Sequence, residues 1–459
     1  MVSTLDSLAL ELSAARAELE KYDRYYRGVQ PLSYMHPELL RELEGRIRPL
    51  VINWPRLVVS SIEERQDVEG FRTDGETDAQ AWDWWQANDM DVQSHLAHVD
   101  ALAMSRAYVI VGSHPDDDTM PLYTVESPLQ VWAKRDPATR QVSSAIKVWT
   151  DSDNEYRTLY LPNRTEHYVA DGQSWGEPDQ VDDHGMGVVP VVPIVANGRT
   201  LVPDGRSELA DVVPVSDAAC KIATDMMISA EFHAIPRIVT IGLTDEDFKD
   251  PKGRPVSKWK KIAGRIWSSQ APVGEADVKQ LPEADLRNFH ETINALAKIA
   301  ASLSGLPPHY FGWSDANPVS AEGNRAADTS LIKRTARRNR EFGLGWEQVT
   351  RLGYRVVTGE FPAGGARMET VWADPGTPTV AQTVDALAKL VGIGIPAPFL
   401  FDRIPDVSTA QADRWRDELE KMARREASLQ AQAFGVATDA QQGADVSDDN
   451  ADDDAATVA

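Results

Sequence analysis

Three consecutive carboxylates, Asp116–Asp118, are the first residues of this chain whose type and spacing suggest chemistry. Clustered carboxylates hold the two divalent cations of metal-dependent nucleases. A metal-dependent DNA-processing enzyme is therefore one hypothesis. The cluster follows His114-Pro115, however, and a hairpin loop accounts for three exposed acids in this place more simply. We favour the loop.

Other signatures of catalysis or metal binding are weak. The sequence contains no G-x-x-x-x-G-K-[ST] motif, which argues against a P-loop ATPase, and no H-E-x-x-H motif. His95 and His98 are three residues apart but have no third ligand nearby, so we expect them to be packing residues. Cys220 is the only cysteine, which rules out an intramolecular disulfide and a cysteine zinc site. We predict no catalytic residue, no metal and no cofactor, and a protein that is not an enzyme.

The composition describes an acidic chain that is long enough to fold around a sizeable core. It has 459 residues, 42% of them hydrophobic, and a net charge of −24; such a length suggests roughly two to four structural units. Aspartates near the C-terminus contribute seven negative charges, and the rest of the chain remains acidic. Because DNA phosphates are held by Lys and Arg, an acidic surface disfavours tight binding of DNA without sequence preference. It still allows DNA to slide past.

No segment has the features of a signal peptide or a membrane span. The N-terminal residues lack a basic region followed by an apolar one, and no apolar run reaches about 18 residues. We therefore expect no membrane partner and a reducing, cytoplasmic site of assembly.

The N-terminal half predicts helices followed by a meander of strands. Ser3 is the expected N-cap of a first helix that packs on its own domain rather than in a coiled coil. Its apolar face would hold Leu5, Leu8, Leu12, Ala15, Leu19, Tyr22 and Tyr26. A helix around 53–65 and a Trp-rich segment with Trp82, Trp84 and Trp85 follow. Short β-rich runs then predict an antiparallel meander over 108–111, 122–125, 130–133, 145–149, 156–160 and 167–169.

The second half predicts two long helices around a small mixed insertion. Ser207 is the expected N-cap of a helical zone, and Pro214 breaks it before a helix that runs to about 234 and is rich in small side chains. Strand-like runs at 237–241, 265–267 and 278–281 precede a helix over 285–303. Further helices are expected over 380–391 and, capped by Ser408, from 409 to about 433. The residues after 434 lack periodicity and predict disorder.

The helix over 285–303 has two distinct faces. One is apolar, with Leu286, Phe289, Ile293, Leu296, Ala300 and Leu303 at alternating spacings of three and four. The other is a stripe of mixed charge formed by Arg287, Glu291, Asn294 and Lys298. On its pattern alone the stripe is an ordinary solvated face.

A polar loop separates this helix from the next. Gly305, Pro307 and Pro308 end the helix, and a second helix starts after a polar segment, which describes a hinge-like insertion. The candidate loop residues are Gly312, Trp313, Ser314, Asp315, Asn317, Pro318, Ser320 and Gly323.

A cluster of basic residues follows the loop in this otherwise acidic chain. Its members are Arg325, Lys333, Arg334, Arg337, Arg338 and Arg340. One interpretation is a nucleic-acid site, since positive charge on a helix binds phosphates. The other is a set of salt bridges between subunits. We favour the second, because no aromatic residues alternate with the basic ones as they do in single-strand binders.

Several of these segments together resemble the portal proteins of long-tailed bacteriophages. The resemblance is carried by Ser302–Pro308 with its Gly-Leu-Pro-Pro ending, by Glu126-Ser127-Pro128, by the run Val188–Ile194 before Asn197-Gly198, and by Trp372–Pro378 with the helix that follows. It extends over most of the chain. Gly323 departs from the family, which often has Ala or another helix former there, and predicts a delayed start of the next helix.

The resemblance implies an α+β portal fold with an α/β wing, a two-helix stem, a small α/β clip, a tunnel loop and a helical crown. The expected parts are the wing and N-terminal helices at 1–204, the first stem helix region at 205–235, the clip at 236–284, the second stem helix at 285–305, the tunnel loop region at 306–324, a long wing helix and return at 325–375, the crown at 376–434 and a disordered acidic tail at 435–459.

The function implied by the resemblance is a ring-shaped DNA conduit at one capsid vertex of the virion, used in genome packaging, retention and ejection and in joining head to tail. For the stripe from Arg287 to Lys298, the family that this chain resembles implies instead the wall of a channel with weak, balanced electrostatics. The implied partners are further copies in a dodecamer, double-stranded DNA, the terminase motor, the head-tail adaptor, and the major capsid and scaffolding proteins. Another minor capsid or adaptor protein remains an alternative, as does the metal-dependent enzyme.

Overall fold

A computed structural model describes residues 3–31, 50–152, 154–170, 175–233, 238–241, 277–280, 286–312, 321–376, 380–404, 407 and 409–445. The helices are α1 (Thr4–Arg27), α2 (Trp54–Glu63), α3 (Ala79–Ala87), α4 (Met90–Met104), α5 (Val213–His233), α6 (Arg287–Ser304), α7 (Ala321–Thr358), α8 (Val380–Gly392) and α9 (Thr409–Asp445). The strands are β1 (Val68–Thr73), β2 (Glu76–Thr77), β3 (Arg106–Ser113), β4 (Pro121–Glu126), β5 (Val131–Arg135), β6 (Val142–Thr150), β7 (Glu155–Tyr160), β8 (Thr165–Val169), β9 (Gln180–Asp182), β10 (Val191–Val195), β11 (Ile238–Ile241), β12 (Asp277–Gln280) and β13 (Glu369–Trp372).

The chain divides into two compact units. Unit 1 contains Met1–Glu64, Leu96–Tyr108 and Glu126–Glu341, and unit 2 contains Arg65–His95, Val109–Val125 and Phe342–Ala459. The first of the five boundaries falls between α2 and β1, and the other four fall within α4, β3, β4 and α7.

The first helix of unit 1 begins and ends as its sequence predicts. The Ser3 hydroxyl accepts a hydrogen bond from the Asp6 backbone N–H at 3.1 Å, and Gly28 closes α1 in the left-handed region. Leu5 and Leu8 are buried against Ile146 and Leu159 of the sheet. The prediction that α1 packs on its own domain is therefore confirmed, although Tyr25 is the buried tyrosine rather than Tyr22 or Tyr26.

A five-stranded antiparallel meander forms the main sheet of unit 1, in the order β5-β6-β7-β8-β9. Its register places Ile146 opposite Leu159, so two apolar side chains meet on the face that α1 covers. The predicted meander is confirmed for these strands. It is wrong for β3 and β4, which are neighbours in a separate sheet.

The segment before α5 is a turn rather than the helical zone that the sequence predicts. The Ser207 hydroxyl donates to the Ala103 carbonyl at 2.5 Å and accepts from the Leu209 N–H at 3.0 Å, so it caps no helix. Helix α5 starts at Val213, with Pro214 in its first turn, where a missing N–H costs no intrahelical bond. After α5, β11 and β12 pair antiparallel; the strand expected at 265–267 lies outside the described residues.

Unit 2 is built around aromatic side chains. Trp85 contacts Phe71 and Trp346 edge to face, with ring centroids 5.4 and 5.2 Å apart, and all three are almost fully buried. Strand β1 pairs antiparallel with β2 and β13. The core role predicted for Trp84 and Trp85 is confirmed.

The last helix is longer than the sequence predicts. Helix α9 continues to Asp445, so the prediction of disorder from 435 is wrong for 435–445. The physical reason is that this stretch is rich in Ala and Gln, which favour helix even without an apolar periodicity. Ser408, the expected cap, lies outside the described residues.

Candidate functional site

Helix α6 contacts α5 through small side chains. Its buried residues are Ala297, Ala300, Ala301 and Ser304, and α5 presents Ala219, Cys220 and Ala223 as buried residues. Small side chains let two helices approach closely. Of the six residues of the predicted apolar face, Ala300 is buried, four are half-buried, and Leu303 is 46% exposed, so this face is shielded from solvent except at its C-terminal end.

The predicted channel stripe borders the buried face of α6, since Asn294 lies about two helical turns before the buried Ala301. Arg287, Glu291, Asn294 and Lys298 are all exposed, and their spacing of four, three and four places them on one helix face. Two positive charges, one negative charge and one amide make this face only weakly basic. Such a face can contact a passing polyanion without holding it tightly.

The chain after α6 is anchored in unit 1 before the predicted tunnel loop begins. Gly305 ends α6 in the left-handed region with φ 69°, and a short 3-10 helix, Pro308–Phe311, follows. Phe311 is buried against Trp54, with ring centroids 5.7 Å apart. The anchored segment ends at Gly312, which has φ 81°.

Six of the eight predicted tunnel-loop residues lie outside the described residues: Trp313, Ser314, Asp315, Asn317, Pro318 and Ser320. Gly323 lies in the first turn of α7, which begins at Ala321, so the predicted delay of this helix is wrong. A glycine lowers helix stability by about 1 kcal/mol and does not by itself stop a helix.

Two residues of the basic cluster belong to a buried ionic network of unit 1. Arg338 donates from Nε to Oε1 of Glu208 at 2.6 Å, and Arg334 contacts Oε2 of the same carboxylate at 2.5 Å. The guanidinium of Arg338 also contacts Glu341 at 2.9 Å. The Glu208 side chain is fully buried, and that of Arg338 is 6% exposed.

Backbone and amide groups complete the network. Asn197 donates from Nδ2 to Oε1 of Glu208 at 2.8 Å, and its backbone N–H donates to Glu341 at 3.0 Å. Arg334 also donates to the carbonyl of Ser304, at the C-terminal end of α6, where a positive charge is favourable. The network therefore joins α7 to the turn before α5, to the end of β10 and to the end of α6.

The electrostatics of the network favour an ionised Glu208. Burial alone would raise the pKa of this carboxyl group, but Arg334 and Arg338 outweigh burial and lower the pKa below its ordinary value. A buried carboxylate in such a site is stable only while its hydrogen-bond partners stay in place.

The residues of the basic cluster therefore fall into two groups, one paired within the chain and one exposed. Arg334 and Arg338 are paired within their own chain, so the prediction that the cluster makes salt bridges between subunits is wrong for these two. Their carboxylate partner lies more than a hundred residues away in sequence, and no local pattern indicates it. Lys333, Arg337 and Arg340 are exposed on the neighbouring face of α7. The side chain of Arg325 lies outside the described residues.

The acidic cluster at Asp116–Asp118 lies in the connection between β3 and β4, as the loop interpretation predicts. Asp117 accepts hydrogen bonds from the backbone and hydroxyl of Thr119 at 2.8 and 2.6 Å, and these bonds lower its pKa. Across the described part of the chain, no group of three or more His, Cys, Asp or Glu side chains is arranged to hold a metal ion. His98 is fully buried, and His95 Nε2 lies 3.3 Å from Asp67.

A further catalytic pattern occurs in the sequence, at Gly172–Gly176, which matches G-x-S-x-G. In hydrolases this pattern forms a nucleophile elbow between a strand and a helix. Here it joins β8 and β9, two antiparallel neighbours of the meander, so the structural context differs. Ser174 lies outside the described residues. Among the helices that the structure describes, none combines the length and apolarity needed to cross a membrane.

Comparison with known proteins gives matches over most of the chain. Residues 9–425 match the family "Phage portal protein, SPP1 Gp6-like". The portal protein of Mycobacterium phage D29 is 36% identical over 403 residues, covering 85% of this chain and 82% of the relative. The portal protein of Mycobacterium phage L5 is 35% identical over 407 residues, with the same coverage.

Solved structures show a more distant likeness. A chain from the virion of a native gene transfer agent particle aligns with a TM-score of 0.46 and 14% identity, covering 83% of this chain and 90% of that one. A chain from the neck of the native particle, computed with C12 symmetry, aligns with a TM-score of 0.45 and 15% identity over 77% and 93%. The assignment rests on the sequence matches, which extend over most of the chain: the protein belongs to the SPP1 Gp6-like family of phage portal proteins.

Proposed function

We propose that this chain assembles into a closed dodecameric ring at one vertex of the capsid and that double-stranded DNA passes through the ring during packaging, retention and ejection. Membership of the portal family supports a virion component. In this proposal the protein is a conduit and not an enzyme; the force comes from a separate terminase motor.

The observation that carries the proposal is the division of α6 into a closely packed face and an exposed face of mixed charge. Small residues hold α6 on α5, which makes a rigid two-helix unit suited to a stem. The exposed stripe from Arg287 to Lys298 would face the channel. A duplex that moves through a pore needs low friction, and a dense basic lining would bind its phosphates and slow it.

The other helices and strands would form the wing, the clip and the crown of the subunit. The five-stranded sheet with α1 would belong to the wing, β11 and β12 to the clip, and α8 and α9 to the crown. The clip would meet the terminase motor and later the head-tail adaptor, whereas the wing and crown would contact major capsid and scaffolding proteins. Assembly would take place in the host cytoplasm. The loop between α6 and α7 would project into the channel.

The experiment that tests the proposal is the mass of the purified full chain by light scattering, combined with negative-stain images. We expect a ring of about twelve copies with a central pore. A compact dimer that cleaves DNA in the presence of a divalent metal would overturn the proposal. A chain that stays monomeric in the presence of its scaffolding and capsid proteins would do the same.

A further inference from the structure

A surface cavity of about 260 Å³ lies beside the buried ionic network of unit 1. We name it the arginine pocket. It is lined by Asn197, Gly198, Arg199, Arg206, Ser207, Glu208, Asp211, Arg334, Arg337, Arg338 and Glu341. Five of these residues are arginines, in a chain whose net charge is −24, and three are carboxylates.

The three carboxylates of the pocket are already paired. Glu208 pairs with Arg334 and Arg338, and Glu341 also pairs with Arg338. Asp211 accepts both arms of the Arg206 guanidinium at 2.6 and 3.1 Å. Within the described part of the chain, no carboxylate lies within ion-pair distance of Arg199 or Arg337. These two exposed arginines therefore give the pocket an excess of positive charge.

Arg199 and Arg337 both lie on segments whose backbone is fixed by hydrogen bonds. Arg337 lies on α7 beside the buried face that carries Arg334 and Arg338. Arg199 lies on a short hairpin that is closed by reciprocal backbone hydrogen bonds with Val202 at 3.0 and 2.9 Å. Asn197 begins this hairpin in the left-handed region, with φ 55°, and its side chain joins the network.

The end of the hairpin is fixed by backbone contact. The Arg206 N–H donates to the Ala196 carbonyl at 3.0 Å. Gly205 has φ 82°, and a Cβ atom at this position would lie 2.3 Å from the same carbonyl oxygen. Only glycine fits there, so the hairpin that carries Arg199 is held close to β10.

A carboxylate fits the chemistry of this pocket. The planar guanidinium group binds carboxylates through two parallel hydrogen bonds, and two such groups on a rigid support would hold one or two of them. Every further copy of this acidic chain offers many carboxylates. Duplex DNA is the less suitable ligand, because a cavity of about 260 Å³ has room for a side chain only, whereas duplex binding needs many phosphate contacts over a broad basic surface.

We propose that the arginine pocket binds a carboxylate side chain of a second copy of this chain, and that Arg199 and Arg337 supply the positive charge of a head-to-tail contact in the ring. A contact of this kind joins two different surfaces and can close into a ring. The inference rests on the proposed ring assembly and assigns one surface of it.

The experiment compares ring formation by the full-length wild type, Arg199→Glu/Arg337→Glu, and the control Lys21→Glu/Arg24→Glu. The control makes the same change in charge on exposed residues of α1, which lie outside both the pocket and the basic cluster. The concentration at which rings dissociate is measured by light scattering over a range of NaCl concentrations, and circular dichroism monitors folding.

We expect the pocket variant to need at least about tenfold more protein to form rings, and the control to stay within about twofold of wild type. Salt should dissociate wild-type rings more steeply than those of the pocket variant. The neutral variant Arg199→Gln/Arg337→Gln should give an intermediate effect, and it serves as the readout should the double Glu variant not fold.

Other outcomes overturn the proposal in distinguishable ways. If wild type forms rings and the pocket variant forms them equally well, the pocket assignment alone is wrong. If these rings then bind a short DNA duplex more weakly than wild type, the pocket binds phosphates instead. An equal loss in the control variant would show a general effect of charge. Absence of rings in wild type would contradict the proposed function and this inference together.

Discussion

Arg338 donates from Nε to Oε1 of Glu208 at 2.6 Å although the two residues are 130 positions apart in sequence, and neither side chain is more than 6% exposed. Arg334 binds the other oxygen of the same carboxylate. One buried acid thus holds two turns of α7 against the segment that precedes α5. The basic cluster, which by sequence suggests only an external role, is in part a structural element of its own subunit.

The first prediction concerns this acid. Glu208→Gln removes the carboxylate that pairs with Arg334 and leaves the buried Arg338 with Glu341 alone, and it should lower the free energy of unfolding of unit 1 by about 3–5 kcal/mol. Chemical unfolding at pH 7 measures the change. The exposed Glu420, which contacts Arg424 at 2.6 Å, is a suitable control; Glu420→Gln should leave the midpoint unchanged.

The pH dependence of this network has a defined sign. The pKa of Glu208 is lowered from its ordinary value of 4.5, so the folded protein binds this proton less readily than the unfolded chain. The stabilisation that ionised Glu208 gives to the folded protein is complete above pH 4.5 and is lost as the pH falls towards the folded pKa. Glu208→Gln should flatten this part of the acid-unfolding curve. An unchanged curve would show that the carboxylate does not stabilise the fold.

A second prediction has the opposite sign. Burial raises the pKa of Asp100 to about 6 from 3.8, with a smaller contribution from Asp23 and an opposing hydrogen bond from Ser127. The folded protein therefore holds a proton that the unfolded chain has lost, and stability falls as the pH rises from 3.8 to about 6.

Asp100→Asn should remove this loss. The variant should be more stable than wild type at pH 8 by about 2–3 kcal/mol, and the difference should disappear below about pH 4. Thermal unfolding across this range gives the measurement. The same substitution at the exposed Asp83 is the control. Equal stability of Asp100→Asn and wild type at pH 8 would contradict the raised pKa of Asp100.

A third prediction tests the contact between α5 and α6. Ala300 is fully buried at this contact, so Ala300→Leu adds a side chain where the helices leave no room and should cost about 1–3 kcal/mol. Ala295, exposed on the same helix, provides the matched substitution, and Ala295→Leu should have little effect. Similar unfolding curves for the two variants would show that the helices are not closely packed.

A fourth prediction concerns DNA. Arg287→Glu/Lys298→Glu reverses the positive charges of the exposed stripe on α6 without touching its buried face. Rings should form normally, whereas the fraction of heads that retain a full-length genome should fall by about twofold or more. Genome length and the ratio of full to empty heads measure the effect.

The control for this experiment is Arg425→Glu, an equally exposed charge on α9. It should leave both readouts at their wild-type values. If the double variant on α6 retains genomes as well as wild type does, the stripe does not face DNA.

Several elements were predictable because their signals are local. The N-cap Ser3, the meander from β5 to β8 and the helix ends at Gly305 and Gly392 follow from side chains only a few residues apart. Capping, alternation and the conformational freedom of glycine act over such distances. The family resemblance likewise depends on short segments in a fixed order.

The pattern of burial along α6 could not be predicted in full from its own sequence. Periodicity places Ala300 and larger apolar residues on one face, and all of these except Leu303 are buried or half-buried, but the contact with α5 also buries Ala297 and Ala301, which periodicity does not indicate. How deeply each residue is buried depends on the partner helix, and the partner is not encoded in the helix itself. The role of Ser207 is not predictable for the same reason, since its acceptor, Ala103, lies 104 residues earlier.

The sequence by itself thus determined the order of helices and strands, the acidic character of the chain and its membership of the portal family. Only the tertiary structure decided which charges of the basic cluster are available to bind another molecule. It paired Arg334 and Arg338 with Glu208 and left Arg199 beside Arg337 on a common pocket. Ion pairs form between groups that the fold brings within a few ångströms, and their distance along the chain has no influence on that contact.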